Sequence, residues 1–274
     1  MEIKNNTIII KNLESFNIKQ ILECGQIFRF YQQGDKYCVF SLDKTCEVTT
    51  FADRVEIYSS DIDYFVNFFD LTRNYETIKK ELINLPYMQD AINFGGGIRI
   101  LNQNNFEMII SFIISSNNRI PRIKAIIERL CAKLGKNCGS YYAFPTLKQL
   151  SVADEAFFTE IGAGYRAKYL YQTCKKLIEG FDINVVNEMT GEQANKYLQN
   201  LCGVGSKVAD CILLFGYHKA DVFPVDTWIK KVYQQYFINS TDTKQMRANL
   251  IGTYKNLSGY AQQYLFYFKR ELKE

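Results

Sequence analysis

The chain has 274 residues, which is enough for one or two domains. Its hydrophobic fraction of 47% and its charged fraction of 23% are ordinary for a globular protein, and they exclude a disordered, collagen-like or coiled-coil chain. The formal net charge of +4 is mildly basic and does not by itself identify a nucleic-acid-binding protein. The single histidine, His218, disfavours a His-rich metal site and a Ser-His-Asp triad.

The chain contains eight cysteines, and no two of them form a CxxC pair, which excludes a zinc ribbon and a thioredoxin-type motif. No cysteine follows Cys211, so a C-terminal iron–sulfur cluster with cysteine ligands is also excluded. The first residues lack the apolar segment of a signal peptide, and no apolar run reaches the length of a membrane span. We therefore expect a soluble protein, cytoplasmic or otherwise intracellular, with reduced thiols and no membrane partner.

The first 60 residues or so alternate between apolar and polar positions, which is typical of strands. Strands are predicted over 27–31 and 37–41, on either side of the turn residues Gln33-Gly34-Asp35. A second pair is predicted over 46–51 and 54–58, around Ala52-Asp53. This pattern predicts an antiparallel meander.

After Asp61 the apolar residues recur every three or four positions, which is the spacing of helices. The clearest helices are predicted over 106–114, 120–134, 165–177, 208–215, 228–237 and 260–272. The chain is therefore predicted to be α+β. We expect a small N-terminal antiparallel sheet domain over 1–85 and a mostly helical body over 86–274.

The most informative segment is LCGVGSKVADCILLFGYHKADVFPVDTWIKK, residues 201–231. Gly203 and Gly205 flank Val204 in a predicted tight turn between two helices, where glycine adopts a positive φ without strain. Free backbone N–H groups at such a turn, next to a helix N-terminus, form a phosphate site. A hairpin of this kind can hold a nucleic-acid backbone without reading its sequence, but the GxG alone also fits an ordinary helix connection.

Three further residues suggest chemistry near this turn. Lys207 and Cys211 are four residues apart, so they share one helix face, and Asp226 precedes the next helix. A lysine amine can act as a nucleophile once it loses its proton, and a nearby carboxylate can stabilise positive charge on a sugar whose base departs. We also hypothesise that Lys207 and Cys211 form an ammonium–thiolate pair. Taken singly, the three also fit a solvated lysine, a small core residue and a helix N-cap.

The segment LCGVGSKVADCI followed by FPVDTW resembles the helix-hairpin-helix signature of the DNA glycosylase superfamily, and within it the 8-oxoguanine DNA glycosylases. Four other blocks carry the same resemblance in the same order along the chain. They are CGQIFRF at 24–30, ISSNNRIPRI at 114–123, GYRAKY at 164–169 and GYAQQYLF at 259–266.

The resemblance implies a body of two lobes with the hairpin near 195–217 and the active site between the lobes. Lys207 occupies the position of the lysine that attacks C1′ and forms a Schiff base, which permits β-elimination, and Asp226 occupies that of the essential aspartate. The implied partner is double-stranded DNA containing 8-oxoguanine, which the family flips out of the duplex. We expect a monomer, and the implied chemistry requires no metal and no cofactor.

The resemblance also assigns contacts with the flipped base and with the DNA. The residues matched to the base pocket are Gly25, Cys211, Phe215, Gln262 and Phe266. In the family the carbonyl of the residue matching Gly25 accepts from N7–H, the donor that distinguishes 8-oxoguanine from guanine. The residues matched to DNA contacts are Asn117, Arg122, Tyr165, Arg166, Gly203, Gly205 and Trp228. Among these, Asn117 fills the vacated space, and Arg122 and Arg166 hold the orphaned cytosine with their fixed donor geometry.

Several positions depart from the family pattern. Trp228 replaces a frequent histidine, Cys202 replaces the usual hairpin proline, and Lys269 replaces a frequent aspartate near the base or sugar. His218 matches no catalytic position, and we expect it at the surface or at a helix end. Two alternatives remain: a glycosylase for another damaged purine, and a non-catalytic helix-hairpin-helix DNA-binding protein. Lys207 disfavours the first, which uses water as its nucleophile, and Lys207 with Asp226 disfavours the second.

Overall fold

The computed structural model describes residues 1–237 and 241–272. Its N-terminal part forms a six-stranded antiparallel sheet with the strand order β1-β2-β6-β5-β4-β3. The strands are β1 (Glu2–Lys4), β2 (Thr7–Ile10), β3 (Phe30–Gln33), β4 (Lys36–Ser41), β5 (Lys44–Thr50) and β6 (Val55–Tyr58). The strands predicted over 37–41, 46–51 and 54–58 correspond to β4, β5 and β6.

The strand predicted over 27–31 is displaced toward the turn, because β3 begins only at Phe30. The side chains of Ile27, Phe28 and Arg29 are all buried, so this stretch lacks the alternation of a half-exposed strand. Arg29 lies inside the protein and donates to the carbonyl oxygens of Leu42 (3.3 Å) and Tyr142 (2.6 Å). The apolar pattern was correct about burial but wrong about the start of the strand.

The remainder of the described chain is mostly helical. The helices are α1 (Ile18–Glu23), α2 (Ile62–Phe68), α3 (Tyr75–Leu82), α4 (Met88–Gly95), α5 (Asn105–Ser115), α6 (Ile120–Leu134), α7 (Leu147–Leu150), α8 (Glu155–Glu160), α9 (Arg166–Ile178), α10 (Gly191–Leu198), α11 (Ser206–Gly216), α12 (Thr227–Tyr236), α13 (Thr243–Tyr254) and α14 (Ser258–Leu272). Each of the six predicted helices is present, and the predicted α+β fold is confirmed. The helix α1 interrupts the predicted meander, since it lies between β2 and β3.

Local sequence explains these helices well. In α6, Pro121 lies in the first turn, where its missing N–H costs no helical hydrogen bond. Its buried residues Ile123, Ile126, Ile127 and Leu130 follow the three-and-four spacing of one helix face. By contrast, all eight residues over 208–215 of α11 are buried, so this helix is enclosed on every side. A helix in this position is held by packing around its whole circumference, which fixes the side chains that it carries.

Two hydrophobic clusters organise the molecule. The smaller one joins the sheet to α1 and α2, and the larger one extends through the helices from α3 to α14. Cys24 and Phe28, which follow α1, belong to the larger cluster, so the segment between α1 and β3 packs against the helices. The division at 85/86 stays a proposal. Residues 238–240 and 273–274 of the predicted body lie outside the described residues.

All eight cysteines are unpaired, and six of them are buried. Within the described ranges, no helix combines the length and the apolar composition needed to cross a bilayer. The same ranges contain no group of three or more His, Cys, Asp or Glu side chains arranged to hold a metal ion.

Candidate active site

A cavity of about 80 Å³ lies where α11, α14 and the segment after α1 meet. Its lining residues are Cys24, Gly25, Phe112, Lys207, Cys211, Phe215, Pro224, Asp226, Gln262, Gln263 and Phe266. These include both predicted catalytic residues and all five residues predicted to contact the base. Gly25 and Gln262 are far apart in sequence, and the fold alone brings them to one cavity.

The α10–α11 hairpin presents Lys207 to this cavity. Gly203 in its turn has φ +81°, and a β-carbon there would lie 2.8 Å from the side chain of Tyr169, so both the backbone and the space require glycine. Asn195 of α10 donates to the carbonyl oxygen of Ser206 (2.9 Å), which ties the start of α11 to the preceding helix. Lys207 therefore lies in the first turn of a helix whose start is fixed.

A buried ion pair holds the same hairpin from the other side. Asp210, which is fully buried on α11, accepts from Arg247 of α13 at 2.6 Å and 2.9 Å and from Asn195 at 2.6 Å. Arg247 also donates to Glu192 of α10 at 2.7 Å. Burial raises the pKa of Asp210, and the bond from Arg247 opposes that shift. Three helices are therefore joined one turn away from Lys207, a network that the sequence alone did not indicate.

Asp226 caps α12, as its position in the sequence predicts. Its Oδ1 accepts from the backbone N–H groups of Trp228 (3.0 Å) and Ile229 (2.8 Å). These bonds fix the carboxylate at the wall of the cavity. Burial raises the pKa of Asp226, and the N–H of Ile229 and the charge of Lys207 oppose the rise.

Lys207 and Cys211 are in contact, and each affects the pKa of the other. Burial raises the pKa of the Cys211 thiol to about 11, and the charge of Lys207 opposes that rise. The pKa of Lys207 is raised, first by Cys211, with burial opposing and Asp226 adding to the rise. The raised pKa of the thiol disfavours the ammonium–thiolate pair, which stays a hypothesis. The i, i+4 spacing indicates contact between the two side chains but not their burial.

Another part of the cavity wall combines an aromatic ring with an amide oxygen that has no partner among the described residues. A β-carbon on Gly25, which has φ +80°, would lie 3.3 Å from the Phe266 ring, so the ring packs directly on the glycine. Gln262 Oε1 is buried and has no hydrogen-bond partner among the described residues. Phe215 stacks on Phe112 with their ring centroids 5.5 Å apart. The cavity wall thus presents flat aromatic rings and a buried oxygen, Gln262 Oε1, that can accept a hydrogen bond from a bound molecule.

Sequence reasoning missed Gln263, although it lies in one of the recognised blocks. Its amide donates to the carbonyl oxygen of Cys24 (3.2 Å) and to the Cys24 sulfur (3.0 Å). These bonds connect α14 to the residue before Gly25. Phe112 was also missed, because its place in the apolar pattern of α5 fits the core equally well. Helical periodicity cannot separate a core residue from one that lines a cavity.

A second group of predicted residues lies outside the cavity, around the loop between α5 and α6. Asn117 is exposed with φ +48°, and Tyr165 is 53% exposed. Arg166 is buried, and its three guanidinium nitrogens all donate to the carbonyl oxygens of Ser116, Asn117 and Ala163. In this conformation Arg166 supports the loop and has no nitrogen without a partner. Arg122 is exposed and donates once, to the Gly162 carbonyl oxygen (3.2 Å).

The remaining positions lie at helix ends or beyond the cavity. Trp228, in the first turn of α12, is half-buried, and the Lys231 ammonium lies 4.5 Å from its ring centroid. Lys269 does not line the cavity, and it donates to Gln235 at 2.9 Å. His218 follows the end of α11, as expected, and it is half-buried. Its side chain is 13% exposed and lies 3.4 Å from the carboxylate of Asp70.

Two family models match the chain over adjoining ranges. Residues 110–254 match the HhH-GPD superfamily base excision DNA repair protein, and residues 8–109 match the N-terminal domain of 8-oxoguanine DNA glycosylase. The chain belongs to the HhH-GPD superfamily. The predicted helix-hairpin-helix resemblance is confirmed, and the α10–α11 hairpin of this HhH-GPD protein lies inside the first of these ranges.

Relatives of this HhH-GPD protein are found among both curated sequences and solved structures. It is 37% identical over 171 residues to an N-glycosylase/DNA lyase of Saccharomyces cerevisiae, which covers 55% of this chain and 46% of that protein. A probable N-glycosylase/DNA lyase of Methanothermobacter thermautotrophicus is 32% identical over 208 residues, covering 67% of this chain and 66% of that protein. The matched regions thus span about half to two thirds of these relatives.

A solved structure matches almost the whole of the HhH-GPD chain. It is the Clostridium acetobutylicum 8-oxoguanine glycosylase/lyase in complex with double-stranded DNA that contains cytosine opposite 8-oxoguanine. The two chains are 40% identical with a TM-score of 0.94, and the match covers 99% of this chain and 97% of the other. At this level of similarity the sheet, the helical body and the hairpin correspond throughout.

Proposed function

We propose that this protein is a DNA glycosylase and AP lyase that removes 8-oxoguanine from duplex DNA in base excision repair. The observation that supports this most directly is the single cavity that contains Lys207, Asp226 and the unpaired amide oxygen of Gln262. The names of the similar proteins, which are N-glycosylase/DNA lyases and an 8-oxoguanine glycosylase/lyase, support the same activity.

The proposed reaction uses the amine of Lys207 as its nucleophile. Lys207 must first lose a proton. Its pKa is raised, first by Cys211 and also by Asp226, which opposes this loss, whereas burial favours it because burial disfavours the charged form. The amine then bonds to C1′ as the bond between C1′ and the base breaks. Asp226 stabilises the positive charge that develops on the sugar, from a position fixed by its two N–H bonds. The product is an aminal, and the Schiff base forms when the C1′–O4′ bond of the sugar breaks, with the electron pair going to O4′, which takes up a proton. The Schiff base then permits β-elimination, in which a C2′ proton is removed and the 3′ phosphate leaves with the electron pair of its C3′–O bond.

The proposed base contacts follow from the chemistry of the cavity wall. The Gly25 carbonyl oxygen would accept from N7–H of 8-oxoguanine, whereas the N7 lone pair of guanine would be repelled. Gln262 Oε1 needs a donor, and the Watson–Crick edge of a guanine-type base supplies N–H groups. The cavity of about 80 Å³ has the volume of roughly two or three water molecules, so it must widen to admit two fused rings.

A trapping experiment tests the proposal. The protein is incubated with borohydride and a duplex that contains 8-oxoguanine opposite cytosine, beside matched duplexes with guanine or 3-methyladenine at the same position. We expect a covalent protein–DNA adduct with the 8-oxoguanine duplex only. Base release without an adduct would indicate water attack, and an adduct with another lesion would indicate a different substrate. Binding with neither adduct nor release would indicate a non-catalytic DNA-binding protein.

The proposed role of Asp226 predicts an acid limit to activity. Burial raises its pKa above the value of about 3.9 that is usual for Asp. Since only the carboxylate stabilises positive charge, activity should fall as the pH drops through this raised value. Single-turnover base release measured from pH 4 to pH 9 should therefore show its acid midpoint above about 4. An acid limb that persists unchanged in the Asp226→Asn variant would contradict the assignment.

The opposite-base preference is proposed to depend on Arg122 more than on Arg166. Arg122 is exposed, whereas the nitrogens of Arg166 are all bonded to backbone carbonyl oxygens. The Arg122→Ala variant should reduce the preference for cytosine over adenine opposite 8-oxoguanine by about tenfold. Single-turnover rates on the two duplexes measure this ratio.

The Arg166→Lys variant is the matched control for Arg122→Ala. It loses bonds to the Ser116 and Asn117 carbonyl oxygens, so it should slow excision from both duplexes alike and leave their ratio near that of the parent. A ratio that changes with Arg166→Lys and not with Arg122→Ala would reverse the assignment.

A further inference from the structure

Arg270 of α14 carries a buried donor that nothing in the described chain satisfies. Its Nη1 is one of three buried side-chain polar atoms without a hydrogen-bond partner among the described residues, and Gln262 Oε1 is another. The other nitrogens of Arg270 are engaged: Nε and Nη2 donate to Glu271 at 3.0 Å and 2.8 Å, and Nη2 also donates to the Glu23 carbonyl oxygen. The guanidinium is therefore held in one orientation while Nη1 remains free.

The free nitrogen lies beside the predicted lesion-reading position. Nη1 is 3.7 Å from the point that a β-carbon on Gly25 would occupy, and the guanidinium carbon is 5.2 Å from the centroid of the Phe266 ring. Arg270 also lines a second cavity of about 340 Å³, which shares Gly25 with the cavity that contains Lys207. Arg270 does not line the cavity that contains Lys207, but Gly25 lines both cavities and Phe266 lines the catalytic one.

A buried charged donor without a partner is unfavourable, and an acceptor on a bound molecule would relieve that cost. 8-Oxoguanine differs from guanine at two adjacent positions, because N7 gains a hydrogen and C8 gains a carbonyl oxygen. The Gly25 carbonyl oxygen suits the first of these groups. A donor is needed for the second, and Arg270 is the unpaired donor next to Gly25.

We propose that Arg270 is a second lesion-specificity residue, whose Nη1 donates a hydrogen bond to the C8 carbonyl oxygen of the flipped base. The proposal rests on the proposed function, and it deepens that function by naming the group that reads the oxidised carbon. Guanine presents C8–H at this point, so it leaves the donor unpaired and meets it with a hydrogen of like partial charge. Two hydrogen bonds then distinguish the lesion from guanine, one at N7 from the Gly25 carbonyl oxygen and one at the C8 oxygen from Arg270. The Gly25 contact alone would detect only the change at N7.

The surroundings of Arg270 suit this task. Its bonds to Glu23 and Glu271 and its contact with Phe266 fix the guanidinium before any base arrives, so little side-chain freedom is lost on binding. Lysine has neither the planar fork that makes these bonds together nor the reach of two separate nitrogens. Lysine at this position should therefore not restore the contact.

The test compares the parent with Arg270→Met and Arg270→Lys, each in a Lys207→Gln background that binds without cleaving. The dissociation constant is measured for duplexes carrying 8-oxoguanine, 8-thioxoguanine or guanine opposite cytosine. We expect both substitutions to weaken binding of 8-oxoguanine by about ten- to hundredfold and to leave guanine unchanged. The preference for oxygen over the weaker acceptor sulfur should be clear with Arg270 and absent in both variants.

Arg54→Met is the matched control, because it removes the same charge from a partly exposed side chain that directly precedes β6. Thermal melting establishes that each variant is folded, and Arg270→Lys preserves the charge if the methionine variant is unstable. If the Arg270 variants lost equal affinity for the 8-oxoguanine and 8-thioxoguanine duplexes, Arg270 would only support the pocket wall. If the preference for 8-oxoguanine over guanine did not change, Arg270 would have no role in lesion recognition. Either result overturns the proposal. Failure of the proposed function is separate, since it would appear as an absence of trapping and excision by the parent.

Discussion

The Lys207→Gln variant is expected to form no borohydride-trapped adduct and to release base at least about 10³-fold more slowly than the parent, which corresponds to about 4 kcal/mol of barrier. Glutamine keeps much of the length of lysine but has no amine that could bond to C1′. The remaining walls of the cavity, including Asp226 and Gln262, are unchanged, so binding of the damaged duplex should persist. Trapping and single-turnover base release measure the two effects separately.

Lys175→Gln is the appropriate control for this substitution. Lys175 lies on α9, is 61% exposed at its side chain and pairs with Glu179 across one helical turn at 3.8 Å. It should trap as efficiently as the parent, since exposed ion pairs of this kind contribute little. If Lys207→Gln still trapped at the parental level, the nucleophile would have to be another amine, and the proposed mechanism would be wrong.

The second large effect is expected from Asp226→Asn, which separates the two roles of this residue. Asparagine is as good an N-cap as aspartate, so α12 should keep its bonds from the N–H groups of Trp228 and Ile229. The negative charge beside Lys207 is lost, however, and base release should fall by about 10²- to 10³-fold. Melting temperature and DNA affinity should stay close to those of the parent.

Asp226→Ala provides the contrast, because it removes both the charge and the cap. It should lose catalysis to a similar extent and additionally about 1 kcal/mol of stability, the usual cost of an N-cap. The comparison requires chemical denaturation beside single-turnover kinetics. If Asp226→Asn released base at the parental rate, the charge of Asp226 would have no catalytic role, and the residue would act only as the N-cap of α12.

The elements of this fold were predictable where one periodicity lasts long enough. The helix α6 coincides with the predicted range, because its apolar face repeats over four turns and its ends are marked by Pro121 and Gly135. The six-residue helix α1 was not predicted, since so short a segment shows little more than one turn of pattern. The displaced start of β3 has a different cause: Ile27–Arg29 is buried by tertiary packing that alternation does not describe.

The site was predictable to the extent that its chemistry is local in sequence. Lys207, Cys211 and Asp226 lie within one segment, and their spacing suggested a common site before any family was considered. The contribution of Gly25 and Gln262 followed from the family resemblance, since nothing local links residues so far apart. Their meeting at one cavity is a property of the fold.

What the sequence did not reveal depends on burial and on long-range partners. Burial raises the pKa of Cys211, and helical spacing does not indicate such burial. The Asp210–Arg247 pair and the unpaired Nη1 of Arg270 likewise exist only because distant helices pack together. A sequence does not show which distant side chains meet in the folded protein, so it cannot distinguish a charged residue that has a partner from one that lacks a partner.

The position of Trp228 allows DNA docking to be followed by intrinsic tryptophan fluorescence. The chain has one tryptophan, and it lies two residues from Asp226, half-buried, with the Lys231 ammonium over its ring. Light at the red edge of indole absorption therefore excites only the indole at the start of α12, because the nineteen tyrosines do not absorb at that wavelength. A duplex that displaces water or Lys231 from this ring changes the emission directly. Docking can thus be timed in the unlabelled protein and in its Lys207 and Asp226 variants, independently of base release.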